Sequence, residues 1–127
     1  MPRERAPTVT IDAFLMLVTA HGLPRPETEV LFARPRRWRA DYCWPAAKVI
    51  VEREGGIFRG GRRPGTAGQG HSAGRAILRD MEKSNAAQLL GFVYLRYTPR
   101  DLDSGAVLPT LAQVLACRLA SAVSPQG

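Results

Sequence analysis

Residues 38–56 constrain the fold more than any other part of the chain, because strand-forming patterns and three carboxylates share one short segment. Two β-rich runs, about 39–44 and 47–54, flank a Pro-Ala-Ala turn at 45–47, which predicts two adjacent antiparallel strands. The acids within these runs are Asp41, Glu52 and Glu54. They interrupt a hairpin that should otherwise carry apolar side chains, and such an arrangement is costly unless a cation is bound there.

The position of the turn decides how Asp41 and Glu52 face each other. A hairpin centred on residues 45 and 46 places Asp41 diagonal to Glu52, and one centred on 46 and 47 places the two acids directly opposite. Cross-strand neighbours lie about 5 Å apart and diagonal ones about 7–8 Å, so either register lets both carboxylates hold one divalent metal ion. Glu54 lies on the same face as Glu52. It is expected to complete a second metal position or act as a general base, or else to be a solvated carboxylate at a strand end.

The chain is strongly basic, with 18 Lys and Arg against 11 Asp and Glu and a net charge of +7. Nearly all the basic residues are arginines, which favour bidentate contacts with phosphate. Arginines bracket the acidic hairpin and predict a polyanionic partner; the alternative is a basic surface without a specific partner. The predicted DNA-binding residues are Arg36, Arg37 and Arg39 before the acids, and Arg59, Arg62 and Arg63 after them.

The remaining patterns predict one α/β domain with a mixed central sheet and flanking helices. Helices are expected at about 10–20, 75–90 and 108–121, and further strands at about 29–33 and 92–97. Thr10 is the expected cap of the first helix, and Gly91 is the expected stop after the second. A mobile Gly/Arg-rich loop is predicted at 55–74, and loose ends are predicted at 1–9 and 122–127.

Cysteine usage and apolar runs bear on compartment and partners. Cys43 and Cys117 lack metal-ligand spacing, so reduced thiols in a cytoplasmic protein are expected, with a disulfide as the less favoured alternative. The apolar run at 13–18 is too short to span a bilayer, so no membrane association is expected. A homodimer is expected, and the feature that permits it is that the last helix or the first helix carries more apolar width than one small sheet requires. The side chains concerned are Phe14, Leu15, Leu17 and Val18, and Leu108, Leu111, Val114, Leu115 and Leu119.

Several motifs follow one another between about residues 29 and 98. They are Arg39-Ala-Asp41-Tyr-Cys-Trp44-Pro45, then Val51-Glu52-Arg-Glu54-Gly55-Gly56, then His71, and then Asp80-Met-Glu82-Lys83-Ser-Asn85-Ala-Ala-Gln-Leu-Leu-Gly91-Phe-Val-Tyr-Leu-Arg96-Tyr-Thr98. In combination these motifs resemble a small phage-type branch of the PD-(D/E)XK nucleases. That superfamily includes restriction enzymes, Holliday junction resolvases and very-short-patch repair endonucleases.

The resemblance implies a restriction-endonuclease-like core and a DNA endonuclease that depends on Mg²⁺ or Mn²⁺. Asp41 and Glu52 are the expected metal ligands, with the backbone carbonyl of Arg53 as a third. Glu54 replaces the signature lysine two residues after the second acid, so Lys83 on the next helix is expected to substitute for that lysine. The leading expectation is a dimeric Holliday junction resolvase that cuts four-way DNA junctions, in the cytoplasm of a bacterial host if it is phage-encoded. The alternatives are a mismatch or very-short-patch-like nickase and a catalytically silent nucleic-acid-binding module.

Other polar residues near these motifs have a functional and a structural interpretation. Glu29 resembles an auxiliary acid near such sites, although an exposed glutamate at a strand end is equally expected. His71 either contacts the scissile phosphate or is a surface histidine. Trp38 and Trp44 either stack on bases or pack in the core and its rim.

A helical wheel of residues 75–90 predicts which face of that helix meets the sheet. The inward arc is predicted to contain Ile77, Met81, Asn85 and Leu89. Lys83 then lies at the margin of this arc. Asn85 is expected to be a buried amide, with a ligand role as the less favoured alternative. Asp80 is expected to form a salt bridge with an arginine such as Arg75 or Arg79, with a catalytic role as the less favoured alternative.

Overall fold

The computed structural model describes residues 11–55 and 69–123. In chain order these residues form α1 (Ala13–Ala20), β1 (Glu27–Leu31), β2 (Arg39–Trp44), β3 (Val49–Arg53), α2 (Gln69–Leu89), β4 (Val93–Tyr97), α3 (Pro99–Asp103) and α4 (Leu108–Val123). The predicted loose N-terminus and most of the predicted mobile loop lie outside the described residues. The same is true of the last four residues of the predicted loose tail.

The described strands form one mixed sheet in the order β1-β2-β3-β4. β2 pairs antiparallel with both β1 and β3, whereas β3 and β4 are parallel. A parallel pair requires a crossover connection, and α2 lies between β3 and β4 in the chain. The predicted α/β class, with a mixed central sheet flanked by helices, is therefore confirmed.

Apolar side chains cover both faces of the sheet. On one face, α1, α3 and α4 enclose the larger core, where Phe14, Val51 and Leu111 are fully buried. On the other face, α2 closes a smaller core around Ile50 and Ala87. Because neighbouring residues of β3 point to opposite faces, the end of this strand lies between two packed layers.

The helix ends follow local chemistry. Asp12 caps α1, since its side chain accepts a hydrogen bond from the Leu15 N–H at 3.0 Å. The predicted cap, Thr10, lies outside the described residues. Gly91 follows α2 with a φ of 90°. The next N–H, that of Phe92, donates to the Ala87 carbonyl at 3.0 Å, so the predicted glycine stop is confirmed.

Two helical segments differ from the sequence prediction. α2 already begins at Gln69, so the C-terminal end of the predicted loop at 55–74 is helical. The short α3 was not predicted, because its few residues carry no apolar periodicity. Its start does follow from local chemistry, since Thr98 accepts from the Asp101 N–H at 3.1 Å and Pro99 occupies the first turn.

The predicted apolar surplus on the first and last helices is wrong. Phe14 and Val18 in α1, and Leu108 and Leu111 in α4, are completely buried in the larger core. The other side chains of the predicted surplus are buried or partly buried against the same core, so the residues of the prediction form no exposed apolar face. No helix within residues 11–55 and 69–123 is long and apolar enough to cross a lipid bilayer.

The orientation of α2 also differs from the helical-wheel prediction. Ile77 and Met81, expected to point inward, are 58% and 56% exposed, and Leu89 is 87% exposed. Asn85 is exposed as well, so it is not a buried amide. The helix instead turns Lys83 and the small Ala87 towards the sheet. This orientation brings the lysine to an acid on β3, and burying that acid without a positive partner would cost more than exposing apolar side chains.

Candidate active site

Asp41 and Glu52 lie side by side on the neighbouring strands β2 and β3. The pairing of Tyr42 with Val51 sets the register, and one step further along the strands Asp41 is opposite Glu52. This is the register of a hairpin centred on residues 46 and 47, one of the two predicted arrangements. The tertiary structure thus brings together the two acids that the sequence singled out.

Each of these carboxylates accepts a hydrogen bond from the backbone of the other strand. The Asp41 N–H donates to Oε2 of Glu52 at 2.9 Å, and the Arg53 N–H donates to Oδ2 of Asp41 at 2.8 Å. Side-chain oxygens therefore satisfy backbone donors at this end of the hairpin. The two side chains are held in defined orientations, as a binding site for an ion requires.

Glu52 is a buried charged residue, with only 2% of its surface exposed. Burial raises the pKa of the Glu52 carboxyl, while Lys83 and the Asp41 N–H act in the opposite direction. Lys83 Nζ lies 2.5 Å from Oε1, and the Tyr94 hydroxyl donates to the same oxygen at 2.9 Å. Burial and the nearby Glu52 charge raise the pKa of Tyr94, so this hydroxyl remains a donor. A buried acid with a shifted pKa and a specific charged partner marks a candidate functional site.

Glu54 lies apart from this carboxylate pair. Its Oε1 contacts Arg96 Nε at 2.8 Å, and Arg96 also lies 3.7 Å from the Asp80 carboxylate. Asp80 thus has an arginine partner, but on β4 and not within its own helix as predicted. In the described parts of the chain, no group of three or more His, Cys, Asp or Glu side chains is arranged to hold a metal ion. The structure therefore does not place Glu54 as a third ligand beside Asp41 and Glu52.

The donor atoms of the pair suit a hard divalent cation. Mg²⁺ prefers oxygen ligands, keeps several of its waters and is commonly bound through only one or two carboxylates. Oε1 of Glu52 already accepts from Lys83 and Tyr94. Oε2 of Glu52 and Oδ2 of Asp41 each accept only one backbone N–H. A carboxylate oxygen has two lone pairs, so Oε2 of Glu52 and the Asp41 carboxylate are the atoms that would hold the ion.

A cavity of about 320 Å³ opens beside Asp41, and Glu29 forms part of its wall. Glu29 lies between Thr28 and Val30, whose partners on β2 flank Asp41, so the two acids occupy opposing positions. The backbone of Glu29 has a φ of 54°, a left-handed conformation that is strained for a residue with a side chain. The predicted auxiliary acid is thus a neighbour of Asp41, and strained residues of this kind cluster at functional sites.

Arg53, which separates the two acids of β3, is part of a network that sequence reasoning missed. Its guanidinium forms two 3.0 Å hydrogen bonds with Asp103 of α3, and a third 3.0 Å bond to the Tyr42 hydroxyl. That hydroxyl donates to Asp12 at 2.7 Å, and burial raises the pKa of Tyr42 to about 12. The network attaches the end of β3 to α1 and α3. The sequence carries no signal for this network, because Arg53 and Asp103 are 50 residues apart in the chain and the short α3 has no apolar periodicity.

The basic residues before β2 lie on the surface. Arg36, Arg37 and Arg39 are exposed, and Arg36 stacks over the Trp38 ring at 4.7 Å from the ring centroid. Trp44, by contrast, is buried and donates to the Pro24 carbonyl at 2.7 Å. The predicted DNA-binding residues Arg59, Arg62 and Arg63 lie outside the described residues. The backbone of His71 belongs to α2, and its side chain lies outside the described part of the structure.

Comparison of the chain with protein-family models, curated proteins and solved structures finds no match. The function of the site must therefore be inferred from its own chemistry. Its parts are a buried glutamate, a second carboxylate beside it, a lysine in contact with the glutamate and exposed arginines close by in the chain.

Proposed function

We propose that the chain is a divalent-metal-dependent DNA endonuclease of the PD-(D/E)XK type. The observation that carries this proposal is the meeting of Asp41, Glu52 and Lys83, which come from three different elements. Lys83 reaches the acid from α2, as expected if it substitutes for the lysine that Glu54 has replaced. The mixed α/β fold is compatible with a restriction-endonuclease-like core.

Hydrolysis of a phosphodiester requires an activated water and stabilisation of the negative charge that builds up on the phosphate oxygens. A bound Mg²⁺ or Mn²⁺ supplies both. Asp41 and Oε2 of Glu52 would hold the ion. Lys83 favours the ionised form of Glu52 and keeps a positive charge beside it, where it can stabilise the developing charge on a phosphate.

The basic surface supports DNA as the substrate. Arg39 lies two residues before Asp41, and Arg36 and Arg37 precede it on the same exposed segment. Arginines that contact phosphate position a duplex without reading its sequence, so the proposed specificity is for DNA shape. A four-way junction is the leading substrate. A two-fold symmetric dimer would present one active site to each of two equivalent strands, and light scattering on the free protein tests for this dimer.

Cleavage of a synthetic immobile junction, beside a matched linear duplex, tests the proposal. In Mg²⁺ we expect junction cleavage that EDTA abolishes. Asp41→Asn and Glu52→Gln should each slow it by about a thousandfold or more, because each removes a metal ligand. DNA affinity should stay the same or rise, since each change also removes a negative charge near phosphate.

Asp101→Asn is the matched control, because it neutralises an exposed acid on α3 away from the carboxylate pair. This variant should cut at the wild-type rate. Cleavage at the wild-type rate by either ligand variant would show that the pair is not the active site. A monomer that cuts the linear duplex as fast as the junction would remove the resolvase proposal and leave the nuclease proposal standing.

A catalytically silent DNA-binding module is the second candidate function. It is favoured by the charge balance of the site, since Lys83 and Tyr94 already occupy Oε1 of Glu52 and Arg96 already pairs with Glu54. Such a module would bind the junction but cut nothing in Mg²⁺ or Mn²⁺. A mismatch nickase would cut one strand of a mismatched duplex, so adding that substrate to the assay separates all three functions.

A further inference from the structure

A groove of about 520 Å³ lies between the segment before β2 and the C-terminal half of α2. Trp38, Arg34 and Arg36 line one side of it, and Asn85, Leu89 and Leu90 line the other. We call it the Trp38–Leu89 groove. Its volume is typical of sites that bind small organic groups.

The two sides of the Trp38–Leu89 groove have different chemistry. On the α2 side, Leu89 is 87% exposed and Leu90 is 44% exposed, so this side offers apolar surface that no described residue covers. Asn85 adds an amide with both a donor and an acceptor. On the other side, the Arg36 guanidinium stacks over one face of the Trp38 ring, and Arg34 and Arg36 are exposed along the edge, which we call the rim. The groove thus combines a surface for a flat ring with charges that suit phosphate.

We propose that the Trp38–Leu89 groove binds a nucleobase that has left the base stack, while its flanking phosphates contact the arginines on the rim. This inference rests on the proposed endonuclease function and defines its substrate class as DNA with an unstacked nucleotide close to the cleavage site. Packing of an unstacked base against aromatic or apolar side chains is favourable for every base, so the groove recognises distortion and not sequence.

Charge favours a nucleotide over a second copy of this chain in the groove. A second copy carries the same net charge of +7 and would bring further arginines to a rim that is already basic. The acidic residue of the groove, Glu82, lies 3.3 Å from Arg36, and both side chains are more than half exposed. Such a surface ion pair contributes little, so Arg36 can exchange Glu82 for a phosphate.

Both segments that line the groove also contribute residues to the carboxylate site. Trp38 precedes Asp41 by three residues, a distance of roughly 10 Å along a strand. On α2, Glu82 lines the groove and its neighbour Lys83 contacts Glu52. Because stacked nucleotides of one strand rise by about 3.4 Å each, the unstacked nucleotide should lie within about three steps of the scissile phosphate.

Fluorescence anisotropy in EDTA tests this proposal without any cleavage. The probes are a labelled duplex with one extrahelical adenine and the same duplex with an abasic residue at that position, which has equal charge but no base. Wild-type protein should bind the adenine duplex about tenfold more tightly. Leu89→Asn should lower this ratio towards one while keeping the affinity for the abasic duplex, because losing an apolar contact to the base leaves phosphate contacts intact.

Leu78→Asn is the matched control. Leu78 is 60% exposed on the same helix but does not line the groove, so its variant should keep the wild-type ratio. Equal binding of the two duplexes by wild-type protein, or an unchanged ratio in Leu89→Asn, would overturn the proposal. Light scattering that shows a dimer dissociated by Leu89→Asn would overturn it too, by assigning the groove to a second copy.

The outcomes for the groove and for the endonuclease are distinguishable. If the protein cuts DNA in Mg²⁺ but binds both duplexes equally, the endonuclease proposal stands and the groove proposal is overturned. If it prefers the adenine duplex but never cuts, the groove proposal stands and the protein is a catalytically silent binding module. Protein that binds neither duplex overturns the groove proposal, whereas the endonuclease proposal is decided by junction cleavage in Mg²⁺.

Discussion

Glu52 shows what a buried charge requires of the residues around it. Three donors reach its carboxylate: the Lys83 ammonium, the Tyr94 hydroxyl and the Asp41 N–H. Even so, the pKa of Glu52 is raised, because these donors replace the lost hydration only in part. Without a metal ion, the ionised site therefore destabilises the folded protein.

Glu52→Gln should become more stable relative to wild type as the pH rises. In metal-free wild type, the folded state binds the Glu52 proton more tightly than the unfolded state does. The stability from this proton is thus complete below the unfolded pKa and is lost as the pH rises through the raised folded pKa. Glutamine does not titrate. Urea unfolding in EDTA between about pH 4 and about pH 8 measures the difference, and one that stays constant would contradict the raised pKa.

Glu29 offers a second test at a single residue. Its φ of 54° costs roughly 1–2 kcal/mol for a residue with a Cβ atom, whereas glycine adopts this conformation freely. Glu29→Gly and Glu29→Ala both remove the carboxylate but differ in this conformational cost. The glycine variant should therefore unfold with a free energy about 1 kcal/mol higher than the alanine variant. Equal stabilities in urea would show that the left-handed backbone carries no strain.

At the scale of elements, the end of β3 is held from both sides of the sheet. On one side, Lys83 of α2 contacts Glu52. On the other side, Arg53 binds Asp103 of α3 and the Tyr42 hydroxyl. Neighbouring side chains of a strand point in opposite directions, so each helix reaches the residue that faces it. The carboxylates of Asp41 and Glu52 are thereby positioned by packed helices and not by the hairpin alone.

Lys83→Met should destabilise the fold, because it keeps the aliphatic stem but leaves Glu52 buried without its positive partner. Breaking a buried ion pair in this way costs about 3 kcal/mol. The double variant with Glu52→Gln should recover most of the loss, since no buried charge remains. Urea unfolding of the two single variants and the double variant yields the coupling energy. Additive effects would mean that the contact between α2 and β3 does not contribute to stability.

At the scale of the whole molecule, the net charge of +7 should dominate any association with DNA. The logarithm of the binding constant should fall with the logarithm of salt concentration, with a slope of about −0.9 for each phosphate neutralised. Replacing Arg36 and Arg37 together with glutamine should make this slope less negative by up to about 1.8. Arg100→Gln, which removes an exposed arginine on α3, should leave it unchanged. Anisotropy at several salt concentrations measures these slopes, and a double variant with the wild-type slope would place the DNA elsewhere.

The sequence by itself determined the class of the fold and the pair of acids on its hairpin. Period-two patterns around a Pro-Ala-Ala turn define a hairpin, and either of the two turn positions puts Asp41 and Glu52 on the same face, so the two acids could be paired without coordinates. The glycine stop after α2 was equally local, because only glycine adopts the left-handed conformation there at no cost. These features depend on residues that are close in the chain.

The tertiary structure alone decided which face of α2 meets the sheet. Apolar periodicity predicted an inward arc of Ile77 and Met81, but the need to pair buried Glu52 with Lys83 turns that arc outward. The ion pair of Arg53 with Asp103 could not be predicted either, since a charge and its partner can lie far apart in the chain. Hydrophobic patterning reports the average environment of a helix face. A single buried charge outweighs it, because an unpaired ion in the interior costs more than several exposed apolar side chains.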